Sequence, residues 1–100
     1  MAKQTETKII KETSYCKIYN KVSIEDDEYN SCIERICVKS KNREEIRFAL
    51  YRNDDRYIPR SLDLSKIQLL ELIKLAIKEK VFSDEFIEML KQELSNNKKS

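Results

Sequence analysis

Residues 60–70 read Arg-Ser-Leu-Asp-Leu-Ser-Lys-Ile-Gln-Leu-Leu, and within them the hydrophobic period changes. Upstream, apolar and polar residues alternate, as they do in strands with one buried face. Downstream, Ile67, Leu70, Ile73, Leu75, Ala76 and Ile77 recur at helical spacing, and Leu69 and Leu72 widen the stripe. Ser65-Lys66-Ile67-Gln68 has the form of a capping box, in which Ser65 caps the first turn and Gln68 reaches back to it. No Pro or Gly interrupts Lys66 to Lys80, so the spacing predicts a helix over 66–80. Ser83 then caps a second helix. Asp84 and Glu85 sit at the positive end of its dipole, and Phe86, Ile87, Met89, Leu90 and Leu94 form its apolar side. The link Val81-Phe82 is short enough to require a helical hairpin.

Reading back toward the N-terminus, Arg56 to Leu62 is a short strand whose Pro59 belongs at an edge or a bulge. Asn53-Asp54-Asp55 makes a hairpin turn without glycine. Glu45 to Arg52 alternates cleanly: Ile46, Phe48 and Leu50 face one way, Glu45, Arg47, Ala49 and Tyr51 the other. Ser40 to Glu44 is a polar turn carrying Asn42. Ser31 to Lys39 has apolar residues on both parities, which suits a central strand buried on both faces. Asp26 to Ser31 reads as a loop with Asn30 in a left-handed position. From Thr13, Cys16, Ile18, Val22 and Ile24 share one parity, with Tyr15, Lys17, Tyr19 and Lys21 on the other.

Strands first and helices last predict an α+β fold: a small antiparallel sheet of three to four strands followed by a C-terminal helical hairpin. Residues 1–12 are expected to be a flexible N-terminal segment, 13–95 a single domain, and 96–100 a polar tail. The first helix is apolar around more of its circumference than one sheet contact uses. Either the second helix or a homodimer seam is expected to cover the surplus.

The 100 residues contain no Gly and no His. A glycine-rich phosphate cradle and the usual Ser–His or Cys–His dyads are thereby excluded, which argues against an enzyme. Charged residues make up 38% of the chain, yet the net charge is only +2. The excess is uneven, with basic stretches on either side of the acidic run Glu25-Asp26-Asp27-Glu28. Four consecutive acids point in different directions, so this run reads as a solvated loop rather than a magnesium site. Cys16, Cys32 and Cys37 are odd in number and irregular in spacing, and they have no His beside them. They are expected to be free thiols in a reducing, cytoplasmic setting, with no metal and no cofactor. No signal-peptide pattern is expected at the N-terminus, and no stretch approaches the length of a membrane span.

The candidate site is the outward set of the first and third strands. Tyr15 and Tyr19 would stack unpaired bases, as would Tyr51, while Lys17, Lys21, Arg47 and Arg52 contact phosphates. The reading this supports is a small non-catalytic nucleic-acid-binding protein, single-stranded DNA or RNA being favoured, acting as a transcriptional regulator. The alternative is a protein–protein interaction module, such as a small phage or mobile-element inhibitor or adaptor of a host complex.

A family likeness bears on the first of these. Ile46-Arg47-Phe48-Ala49-Leu50, then Tyr57-Ile58, then Ser61-Leu62-Asp63-Leu64-Ser65 follow the order strand, turn, edge strand, helix entry. Over residues 45–80 this resembles the positive-cofactor type of transcriptional coactivator and its small bacterial relatives. The resemblance implies a dimeric protein that holds single-stranded DNA across its sheets.

Overall fold

A computed structural model describes residues 9–97. The fold is α+β. Strands β1 (Lys11–Glu12), β2 (Cys16–Glu25), β3 (Tyr29–Val38), β4 (Arg43–Arg52) and β5 (Tyr57–Ile58) form one antiparallel sheet in sequence order. Helices α1 (Lys66–Lys78) and α2 (Asp84–Asn97) follow. There are thus five strands, where the sequence predicts three or four. The additional one, β1, falls in the segment expected to be flexible. It is only two residues long, too short to show a period, and is held by its pairing with Ile18 and Lys17 of β2. Ile10 N–H also donates to the Ile18 carbonyl at 2.7 Å, while residues 1–8 of the expected N-terminal segment and the last three residues of the expected tail lie outside the described residues.

The turns are built without glycine. Asp26 Oδ1 accepts from the backbone N–H groups of Glu28 and Tyr29 at 3.0 and 2.9 Å, closing the β2–β3 hairpin. That turn is tighter than the expected loop, so Asn30 lies in β3 opposite Glu25 rather than in a left-handed position. Asn42 and Asp55 take left-handed geometry at φ 51° and 73° in the next two turns. Both are residue types that tolerate it, because a short polar side chain bonds the local backbone.

One residue reorganises the sheet. Ile18 pairs with Ile36 and Asn20 pairs with Arg35, so Tyr19 is an extra residue, a β-bulge. Beyond it the parity of β2 inverts. Cys16 and Ile18 share a face with Lys21 and Ser23, while Val22 and Ile24 turn to the other side with Asn20. The expectation that Tyr15, Lys17, Tyr19 and Lys21 share one face opposite Cys16, Ile18 and Val22 therefore fails at Tyr19.

The helices cover the Val22 side. Val22 and Ile33 pack with Leu72, Ala76, Val81 and Phe82, and Ile24, Leu64, Ile73, Leu75 and Ile87 close around them. On the opposite face Cys16, Ile18, Ile36 and Val38 form one buried cluster, and Cys32, Ala49 and Tyr51 form another. No helix is needed there because the sheet curls over that face: Lys11 of β1 reaches Asp55 beyond β4, and its ammonium lies 5.3 Å from the Tyr51 ring centre. β3, buried on both sides, is the central strand its sequence predicts.

β4 corrects the expected assignment of faces. Ala49 and Tyr51, assigned outward, are buried, whereas Ile46 and Phe48, assigned to the core, are exposed. The helical layer lies over β2 and β3 and stops short of β4's first half. Nor does α2 cover the surplus apolar surface of α1, since it meets the body mainly through its first turns, at Ile87 and through a Phe82–Phe86 ring contact at 5.0 Å.

Both helix boundaries carry their chemistry openly. Ser65 Oγ accepts from Gln68 N–H at 3.1 Å, and Gln68 Oε1 accepts from Ser65 N–H at 3.0 Å. At the other end α1 stops two residues before the predicted limit. Val81 N–H donates to the Ala76 carbonyl and Lys80 N–H to that of Ile77, a Schellman closure with Lys80 left-handed at φ 64°. Ser65→Ala is expected to cost about 1 kcal/mol through loss of the cap. Lys80→Gly should instead add about 1 kcal/mol by relieving the left-handed penalty. Chemical denaturation of the two variants beside the parent checks both signs.

Candidate functional site

The seven residues expected to form one platform fall into separate settings. Tyr15 is exposed just before β2, and Lys17 is half-buried opposite Glu12 and Cys37. Tyr19 lies at the bulge, 5.5 Å from the Arg35 guanidinium on the helix side. Arg52 lies 5.6 Å from the Tyr29 ring, which Arg60 also faces at 5.0 Å. Lys21, Arg47 and Tyr51 are brought together on the curled face, but around a group that sequence reasoning did not single out.

That group is Glu34, which is fully buried in β3. Tyr51 donates its hydroxyl to Glu34 Oε2 at 2.6 Å, and Arg47 Nε donates to Oε1 at 2.8 Å. The Lys21 ammonium stands 3.8 Å from Oε2 and 3.9 Å from the Tyr51 ring centre. Arg47 in turn lies over Tyr57, 5.2 Å from its centre, and Tyr57 meets Tyr51 edge to face. Strand register places all of this: Lys21, Glu34 and Arg47 are directly opposite one another on β2, β3 and β4. The bulge at Tyr19 is what turns Lys21 onto this face.

The electrostatics are those of a closed structural cluster. Burial, then the hydrogen bond to Glu34, pushes the Tyr51 hydroxyl well above the ordinary phenol range. Burial works against the Arg47 charge, but the hydrogen bond and attraction from Glu34 outweigh it and hold the guanidinium more firmly protonated. Cys32, beside them, is pushed up to about 11, mainly by burial. Tyr51 therefore has no ring face to offer a base, and Lys21 and Arg47 already have an anionic partner. The signal for Glu34 was in the sequence: it is a lone acid in a strand that is apolar on both parities, where burial requires a cation.

Elsewhere on the surface the basic residues are widely compensated. Lys11, Lys39, Lys41, Arg35, Arg43 and Arg56 each lie within 4.0 Å of a carboxylate. Among the described residues no group of three or more metal-ligating side chains converges, and no helix is long and apolar enough to cross a membrane. The exposed apolar surface is the larger feature. It comprises Ile67, Leu70 and Ile77 on α1, Met89 and Leu94 on α2, and a separate strip where Ile46 and Phe48 of β4 meet Leu69 and Phe86.

Glu34→Ala is expected to cost about 3 kcal/mol, because it strips the buried partner from two cations. Tyr51→Phe should cost about 1–2 kcal/mol by leaving Glu34 Oε2 without its closest donor. Denaturation midpoints test the order of the two. All three cysteines are free, with Cys16 and Cys32 buried and Cys37 half-buried. Alkylation of the native protein under mildly alkaline conditions should modify Cys37 first, with Cys32 reacting only on unfolding; mass spectrometry of timed samples reads this out. Compared with family models, curated proteins and solved structures, the chain finds no match.

Proposed function

We propose that the protein is a non-catalytic protein-interaction module that docks its partner on the outer surface of the helical layer. The observation that carries this reading is the apolar surface that α1 and α2 leave uncovered. Ile67, Leu70 and Leu94 are 72%, 63% and 64% exposed. On α1, Ile67 and Leu70 are one turn apart and Ile77 follows two turns after Leu70, so the three lie along one side. An exposed Leu on its own needs no explanation, but Ile67, Leu70 and Ile77 exposed along one side of α1, with Met89 and Leu94 exposed on α2, are the kind of apolar surface that a partner covers.

The polar surface supports the same choice. Nucleic acid is held by cations that release counterions from phosphates. Here many basic side chains are matched by acids of the same chain. A partner that buries apolar side chains fits that surface better than a polyanion does. The aromatic–basic strand face, the basis of the nucleic-acid alternative, is divided by the bulge.

Leu70→Glu combined with Met89→Glu should leave the denaturation midpoint nearly unchanged, because both side chains are exposed. A photocrosslinking side chain placed at Leu70 in the expressed protein is expected to trap a protein partner, and one at Glu71 to trap much less. In parallel, a labelled single-stranded oligonucleotide titrated at low and high salt should show no salt-sensitive binding at micromolar protein. Strong salt-sensitive binding that survives the double substitution would replace this reading with the nucleic-acid one.

A further inference from the structure

β5 is only two residues long, and its brevity has a local cause. Pairing with β4 runs through Tyr51–Tyr57 and Leu50–Ile58, then stops at Pro59. Proline has no N–H to give the ladder. Arg60 N–H turns back onto the Ile58 carbonyl at 2.9 Å, and the chain leaves the sheet toward α1. Among the described residues no strand pairs with the outer edge of β4 from Arg43 to Phe48.

Hydrogen-bond direction tells which residues face that open edge. Arg52 N–H donates outward, to Arg56, and Asn53 N–H donates inward, to Glu28. Bonding direction alternates along an antiparallel strand. Glu44, Ile46 and Phe48 therefore present their N–H and C=O groups outward. Ile46 and Phe48 are also the exposed apolar side chains of the strand, at 41% and 48%. An open edge with apolar side chains is a template for another strand unless something covers it.

We infer that the occupant is a second copy of this chain, its β4 pairing antiparallel with this one about a two-fold axis at Ile46. Charge selects both the partner and the register. With Ile46 opposite Ile46 of the second copy, Glu45 stands opposite Arg47 and Arg47 opposite Glu45. Arg47 keeps its bond to Glu34 and Glu45 its bonds to Arg43 within each chain, so this register sets opposite charges beside existing ion pairs and displaces none of them. A shift of the axis to residue 45 sets Glu45 against Glu45 and Arg43 against Arg47. A shift to residue 47 sets Arg47 against Arg47. Both alternatives juxtapose like charges.

The same register accounts for the exposed aromatic residues. It sets Phe48 of the second copy opposite Glu44. Beside Glu44 on the helix side lies an open groove of about 370 Å³ whose apolar lining is Ile46, Val81, Phe82 and Phe86 and whose polar lining is Glu44, Glu45, Ser83 and Glu85. Each copy's Phe48 enters the other's groove, so both strips of apolar surface are covered at once, as an isologous interface requires. Ile67, Leu70, Ile77, Met89 and Leu94 take no part in this pairing, so the dimer and the partner-docking surface stand or fall separately.

Sedimentation velocity across a concentration series of the full chain is expected to show a monomer–dimer equilibrium. Glu45→Arg turns both cross-strand pairs repulsive and should weaken the dimer about tenfold or more. Ile46→Pro deletes the two central inter-copy hydrogen bonds while sparing β3, whose bonds to β4 lie on the other side. It should abolish the dimer, and circular dichroism checks that it remains folded. Introduced singly, Ile46→Cys should form an inter-chain disulfide under mild oxidation beyond the parent's background, whereas Glu45→Cys should not. A parent that stays monomeric at submillimolar concentration overturns the inference. So does crosslinking through position 45 in preference to 46, or a dimer indifferent to Glu45→Arg.

Discussion

The carboxylate of Glu34 sets the terms for the sheet. A buried acid without partners costs several kcal/mol, and it becomes tolerable when cations and donors converge on it. Three strands and the β1 edge contribute to that convergence. Lys21 arrives from β2 because of the bulge, and Arg47 and Tyr51 arrive from β4 two pleats apart. Lys11 and Lys21 then meet Asp55, drawing the ends of the sheet toward each other over the cluster. A flat five-stranded sheet would leave this face wet. Curling closes it without a helix, which leaves both helices free to build the opposite layer.

The parts legible in the sequence are those whose signal is local. The capping box at Ser65 involves residues three apart, and it forms as read. The central position of β3 follows from apolar residues on both parities. Tyr19 shows where local reading stops. Period-two logic assumes that each residue advances the pleat by one face, and a bulge breaks that assumption at a single position. Nothing in Ile18-Tyr19-Asn20 announces it, because its cause is distant. An unbulged β2 would send Lys21 to the helix side and leave the buried Glu34 with one cation fewer. The reversal on β4 has a similar origin. Ile46 and Phe48 look like core by pattern, and only the placement of α1 over β2 and β3 exposes them.

That placement traces to the end of β5. Pro59 stops the ladder two residues in, and the γ-type closure from Arg60 to Ile58 directs the chain off the edge. Seven residues separate Ile58 from the first helical residue, Lys66. The segment crosses over β4 near Phe48, and α1 then settles against Val22 and Ile33. A longer β5 would have covered β4's edge and removed the open groove beside it. The same short element therefore ends the sheet, positions the helices and leaves the strand open.

The two faces of the sheet consequently have different capacities. On the curled face the polar groups are already paired with one another and the apolar ones are packed, so a ligand would have to displace ion pairs that the fold itself requires. The helix side is the reverse. Its core is closed under α1, but around that core lie large exposed apolar side chains interspersed with charged ones of both signs. Binding there demands no rearrangement of the Glu34 cluster. Under the proposed reading recognition belongs on the helix side, while Lys21 and Arg47, charged residues that first suggest a binding face, are bonded to Glu34 and hold the sheet in shape.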